Sequence, residues 1–161
     1  MIGMLTRLFA RGEPALSEAG PRDAGAFATL HAVSFRHGWS DDEFERMLGE
    51  RNVVAHRATT GRALHGLILS RFAGGEAEIL SVAVASARRD RGLARALLNL
   101  HLRRLAGLGA GAVFLEVDED NEPARRLYRR AGFREVGRRP GYYQQGSDRP
   151  ATALVLRRDL V

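Results

Sequence analysis

One carboxylate, Glu116, stands inside the apolar run Val113-Phe114-Leu115-Glu116-Val117. A carboxylate so placed is suited to take a proton from an incoming ammonium, directly or through water. Further along the chain stands Tyr128, a phenol that can donate a proton. It shares a helical face with Ala124, Leu127 and Ala131, so packing alone would also explain it. Upstream, Arg88-Arg89-Asp90-Arg91-Gly92-Leu93-Ala94-Arg95 lies between a strand pattern and a helix pattern. A helix N-terminus presents unpaired backbone N–H groups and partial positive charge. Gly92 and Ala94 are small enough for a phosphate to approach, and Arg89, Arg91 and Arg95 add guanidinium charge. A diphosphate ligand is the natural guest of such a loop. The Gly-Lys-Ser/Thr ending of a P-loop and the three spaced glycines of a dinucleotide fingerprint are both missing.

Other chemistries are excluded or poorly supported. The chain has 161 residues and no cysteine, which removes disulfides, thiolate nucleophiles and Cys-based zinc sites. His31, His37, His56, His65 and His101 show no paired ligand spacing, so no metal is expected. Asp118-Glu119-Asp120 fits a helix N-terminus and the attraction of a cationic substrate better than a metal. The net charge is +6, and all 25 basic residues are arginine. That surplus fits a solvated surface, contact with a ribosome or RNA, or a polyanionic small molecule. The arginines lack the interleaved aromatics of a single-strand binding face, so no direct nucleic-acid role is expected. Met1 to Ala10 is too short to span a membrane and has no signal-type apolar core, so a soluble, cytoplasmic protein is expected.

These side chains need elements to hold them. The length favours one domain over 1–161, with 1–21 as a loosely ordered arm holding a short strand near Ala15 to Ala19. Asp23 is a candidate cap for a helix over Ala24 to Phe35. Ser40-Asp41-Asp42-Glu43 matches a capping box before a short helix faced by Phe44, Met47 and Leu48. Val53 to Ala58 and Ala63 to Phe72 read as a hairpin, followed by a third antiparallel strand over Glu76 to Val84. Gly92 to Leu105 reads as a helix with Leu93, Leu97, Leu100 and Leu105 along one stripe. Ala112 to Val117 reads as a buried strand, parallel to Glu76–Val84 through a right-handed crossover. Asn121 caps a helix that Gly132 ends, and two last strands follow near Phe133 to Arg138 and Thr152 to Arg158.

Arg89-x-x-Gly92-x-Ala94 after a strand resembles the acetyl-CoA motif of the GNAT superfamily. Leu115-Glu116-Val117, then Asn121, then Leu127-Tyr128-x-x-x-Gly132-Phe133 resembles its second block. A narrower set looks like the ribosomal-protein alanine N-acetyltransferases: Trp39-Ser40, Ser81-Val82-Ala83-Val84, Glu116, Asn121, Tyr128 and Tyr142-Tyr143. Where that group usually has a proline before the tryptophan, this chain has Gly38, and where an acidic residue often opens its last strand, this chain has Thr152 or a residue close by.

The resemblance implies an α/β GNAT fold. Its sheet is mixed and mostly antiparallel, with a central splayed parallel strand pair, and helices flank it. It implies acetyl-CoA as cosubstrate, held by backbone groups of Val82 and Val84, by the loop from Arg89 to Arg95 and by Asn121. The N–H near Ala83 would polarise the thioester carbonyl. Glu116 would be the base and Tyr128 the acid, with Trp39, Tyr142 and Tyr143 lining the acceptor slot. The acceptor implied is the N-terminal alanine of a ribosomal protein. A small amine (polyamine, amino acid or drug) is the alternative, and a non-catalytic ribosome- or RNA-binding module is a third reading. The oligomeric state is left open.

Overall fold

The computed structural model describes residues 12–141 and 151–161. The elements run β1 (Ala15–Glu18), α1 (Ala24–Ser34), α2 (Asp41–Gly49), β2 (Val53–Thr60), β3 (Ala63–Ala73) and β4 (Glu76–Val84). After them come α3 (Leu93–Gly107), β5 (Ala112–Asp118), α4 (Glu122–Arg130), β6 (Arg134–Arg139) and β7 (Ala153–Asp159). Two single 3₁₀ turns, Pro21–Asp23 and Ser86–Arg88, precede α1 and the arginine loop. The strands form one seven-stranded sheet in the order β1-β2-β3-β4-β5-β7-β6. Only β4 and β5 run parallel; every other neighbouring pair is antiparallel.

The expected α/β architecture is therefore present, and β1 belongs to the sheet edge, paired with β2 from Ala15↔Thr59 to Glu18↔His56. Each face of the sheet carries its own core. Phe27, Phe44, Leu67, Leu69 and Ala83 pack under α1 and α2. Leu97, Leu105, Leu115, Tyr128 and Leu154 pack under α3 and α4. Burying a large aliphatic or aromatic side chain contributes about 1.5–3 kcal/mol, so two such layers hold the sheet from both sides.

Local signals explain most boundaries. Ser40 and Glu43 form the predicted capping box: the Ser40 hydroxyl accepts from Glu43 N at 3.2 Å, and Ser40 N donates to the Glu43 carboxylate at 2.7 Å. Two expectations need correction. Asp23 stands at the N-cap position of α1, but its side chain makes no cap bond: its carboxylate accepts from Gly20 N at 2.9 Å and pairs with Arg57 of β2. The α3 stripe is Leu93, Leu97, Leu98, His101, Leu102 and Leu105, with Leu100 only half-buried. At about 100° per residue the buried positions form a wide arc centred near 101 and 105, so the histidine falls in its middle and Leu100 at its margin beside Leu93.

His101 is tolerated there because it is bonded at both ring nitrogens. His56 Nδ1 lies 2.8 Å from His101 Nδ1, and Ser70 Oγ lies 2.6 Å from His101 Nε2. All three residues are buried. Burial and the neighbouring His56 push His101 down to about 3.

The feature that matters most for a site is a break in the sheet. β4 and β5 pair only over Glu76↔Ala112, Ala77↔Val113 and Glu78↔Phe114. The β3–β4 register shifts directly afterwards: Ser70 faces Ile79, but Leu69 faces Ser81, so Leu80 is an extra residue on β4. A bulge of this kind bends its strand and raises the local twist. β4 turns away from β5, and a gap opens inside the sheet.

Candidate active site

A cleft of about 490 Å³ lies where the two strands part. Its walls come from both strands, from α4 and from the α1–α2 connection, and Trp39, Val82, Glu116, Asn121 and Tyr128 all reach it. These are residues that sequence reasoning had singled out from four separate stretches of chain.

Glu116 sits on β5 with its side chain 19% exposed. It is not isolated: Arg139, the last residue of β6, places its Nη1 3.1 Å from Glu116 Oε1. Tyr128 is buried on α4, edge-on to Phe133 with ring centroids 5.7 Å apart. Burial pushes its hydroxyl up to about 12, so it stays protonated across the neutral range. Asn121 caps α4 by accepting from Ala124 N at 3.2 Å and also lines the cleft.

One wall of the cleft is built around a residue that sequence reasoning weighed only as a metal ligand. His31 is 3% exposed and lines the cleft. Its Nδ1 accepts from the Trp39 backbone N–H at 3.1 Å. Its ring stacks on Trp39 (4.6 Å, 14°), tilts against Phe35 at 4.3 Å and meets Phe44 edge-on. Burial lowers its pKa, against the opposing pull of Glu43. The neutral ring keeps a lone pair on Nδ1, which the Trp39 N–H requires. The sequence signal available was its place at helical spacing beside Phe27 and Leu30. Ser81 was also unassigned. Among the described residues, its buried hydroxyl is the side-chain polar atom left without a partner, and the residue lines the cleft beside the bulge.

The arginine-rich loop lies between β4 and α3, as the sequence pattern placed it. Asp90 and Gly92 both take left-handed conformations, φ 61° and 79°. Gly92 is the N-cap of α3, and nothing lies within 4 Å of where a Cβ would sit. Gly92, Arg91 and Arg95 are exposed, so the first turn of α3 faces open space with cations around it. Leu93 is buried in the core and Ala94 half-buried, so these two offer backbone N–H groups rather than side chains. Arg89 turns back and donates Nε to the Val84 carbonyl at 3.2 Å, tying the loop to the end of β4. Val82 reaches the cleft, while Ala83 and Val84 are buried on opposite faces of the strand. A long thioester with a diphosphate fits this layout: open helix N-terminus at one end, split strands at the other. Tyr142 and Tyr143 lie outside the described residues. Among the described residues no cluster of His, Cys, Asp or Glu could hold a metal, and no helix is long and apolar enough to cross a membrane.

Residues 25–133 match the model of the acetyltransferase (GNAT) family. The chain is 35% identical over 143 residues to the N-alpha-acetyltransferase RimI of Mycobacterium tuberculosis, covering 85% of this chain and 87% of that one. It is 44% identical over 132 residues to the mycothiol acetyltransferase of Clavibacter michiganensis, covering 76% of this chain. The chain spans only 43% of that protein's length, and 22% of a Mycobacterium leprae relative. Its fold superposes on the ribosomal-protein-S18-alanine N-acetyltransferase of Escherichia coli with a TM-score of 0.84, at 23% identity, over 91% of this chain and 93% of that one.

Proposed function

The chain belongs to the GNAT acetyltransferase family, and from that premise we propose that it transfers an acetyl group from acetyl-CoA to a primary amine by direct attack. The first candidate acceptor is the N-terminal alanine of a ribosomal protein. The observation that carries the reading is the convergence of Glu116 and Tyr128 on one cleft at the split between β4 and β5.

In this reading the diphosphate rests at the first turn of α3, where Gly92 leaves room and Arg91 and Arg95 supply charge. The pantetheine arm follows the β4 backbone at Val82 and Val84, and the N–H near Ala83 faces the thioester carbonyl. Glu116 takes a proton from the acceptor amine, directly or through water. The nitrogen bonds to the carbonyl carbon, the carbon–sulfur bond breaks, and the departing thiolate receives its hydrogen bond or proton from Tyr128. No covalent enzyme intermediate is needed, and much of the rate gain comes from positioning. Trp39, Tyr142 and Tyr143 line the acceptor side, and Asn121 contacts the cofactor arm. The compartment this reading implies is the cytoplasm.

A second reading, acetylation of a small-molecule amine, is favoured by two observations. One is the similarity to mycothiol acetyltransferase. The other is Gly38, which alters the wall beside Trp39. One experiment separates the two. The protein is incubated with acetyl-CoA and an alanine-initiated peptide copied from the small-subunit ribosomal protein, in parallel with a panel of small amines, and products are read by mass spectrometry. A single acetyl group on the peptide's terminal amine supports the first reading. Turnover of small amines with an untouched peptide decides for the second. No turnover of either, with no acetyl-CoA binding, overturns both.

A further inference from the structure

We propose that Arg139 is a positioning residue for the Glu116 carboxylate. The inference rests on the assignment of Glu116 as the base. β6 and β5 are not neighbours, since β7 lies between them. Arg139 therefore reaches across a whole strand, a span of roughly 10 Å between outer strand axes.

The register makes that reach feasible. Glu116 faces Val155 on β7, while Arg139 faces Ala153 and Gly137 faces Val155. Leu154 and Leu156 point into the core with Leu115 and Val117. Alternation then puts Ala153, Val155, Glu116 and Arg139 on the opposite face together. On that face the diagonal from Arg139 to Glu116 crosses β7 between Ala153 and Val155, and Gly137 beside Arg139 carries no side chain. The guanidinium can lie flat over β7 and meet Oε1 of Glu116 at 3.1 Å.

A surface clamp would have no reason to end on a carboxylate that is four-fifths buried at a cleft. Glu116 has rotamer freedom of its own, and a base must hold one orientation toward the acceptor nitrogen or its bridging water. A charge-assisted bond from a planar guanidinium supplies direction as well as attraction. Arg139 also stands immediately before the segment that carries Tyr142 and Tyr143.

The test uses the full chain and three variants, Arg139→Gln, Arg139→Lys and Glu116→Gln, with the double variant Glu116→Gln/Arg139→Gln. Acetyl-CoA affinity and melting temperature are measured alongside kcat and KM for the accepted amine. Arg139→Gln lowers kcat on the order of 10- to 100-fold, the scale at which misplacing a reacting group acts. Acetyl-CoA affinity and melting temperature stay close to those of the parent, and Arg139→Lys recovers most of the loss. In the Glu116→Gln background the same replacement has no further effect on kcat. An equal loss in that background would show that Arg139 does not act through Glu116 and would overturn the proposal, as would a kcat for Arg139→Gln within twofold of the parent. Full activity of Glu116→Gln alone would instead overturn the assignment of the base.

Discussion

Replacing Gly38 by alanine tests how the His31–Trp39 wall of the cleft, proposed to face the acceptor, is built. A Cβ at position 38 would lie 2.9 Å from Ala32 Cα, 3.2 Å from Ala32 N and 3.4 Å from Ala32 Cβ. The first two are backbone atoms inside α1 and cannot step aside. Carbon atoms rest at about 3.5–4.0 Å, so the 36–39 segment has to retreat by at least roughly 0.6 Å. The Trp39 N–H to His31 Nδ1 bond, now 3.1 Å, would stretch past hydrogen-bonding range. Overpacking of this kind costs about 1–3 kcal/mol, and part of that falls on the stacked His31–Trp39 pair. Gly38→Ala should lower unfolding stability by that amount in urea. It should raise KM for the acceptor about fivefold, equivalent to about 1 kcal/mol, while leaving the acetyl-CoA KM alone. Adding Ala32→Gly should rescue little, because the closest contacts are to backbone. Unchanged stability together with an unchanged acceptor KM would refute the argument. Proline, the residue of the resembling group at this position, should be worse than alanine.

Glu116→Gln should reduce turnover by about 10²–10⁴, the usual contribution of a positioned base. Tyr128→Phe should reduce it too, and both variants should bind acetyl-CoA nearly as the parent does in calorimetry. Gly92→Ala forces a side chain into a left-handed backbone, φ 79°, at a cost of about 1–2 kcal/mol. Since the surrounding space is open, the damage should appear as a raised acetyl-CoA KM with the acceptor KM unchanged. The histidines predict acid sensitivity. His101 is held near 3 in the fold against 6.5 for a free imidazole, so below 6.5 the unfolded chain binds a proton that the folded chain refuses. Stability is therefore complete above that point and falls by about 1 kcal/mol per pH unit as pH drops toward 3. His31 and His56, also lowered by burial, add to the slope. Urea unfolding between pH 7.5 and 5.5, above the range where carboxylates titrate, checks this, and a flat profile would contradict it.

Much of the molecule was legible before any coordinates. Period-2 and period-3.6 patterns, the Ser40–Glu43 box and the Asn121 cap are local, and local physics placed the elements within a residue or two. The strand–loop–helix context of Gly92 and the lone acid in an apolar run are also local, and they led to the loop and to Glu116. What escaped is non-local. Asp23 holds the cap position of α1, but Arg57, brought alongside by β2, claims its carboxylate. His101 looked like an ordinary histidine because its partners, His56 and Ser70, come from other strands. His31 became part of a wall only once Trp39 folded back onto it. The gap in the sheet depends on one extra residue at Leu80, visible only in the register against β3. Glu116 read as isolated because its guanidinium partner arrives from a strand two places away. Chain composition and periodicity thus determined which elements form and which side chains can do chemistry. Only the packed sheet decided which of those side chains meet, because pairing and burial act between segments that the linear order keeps apart.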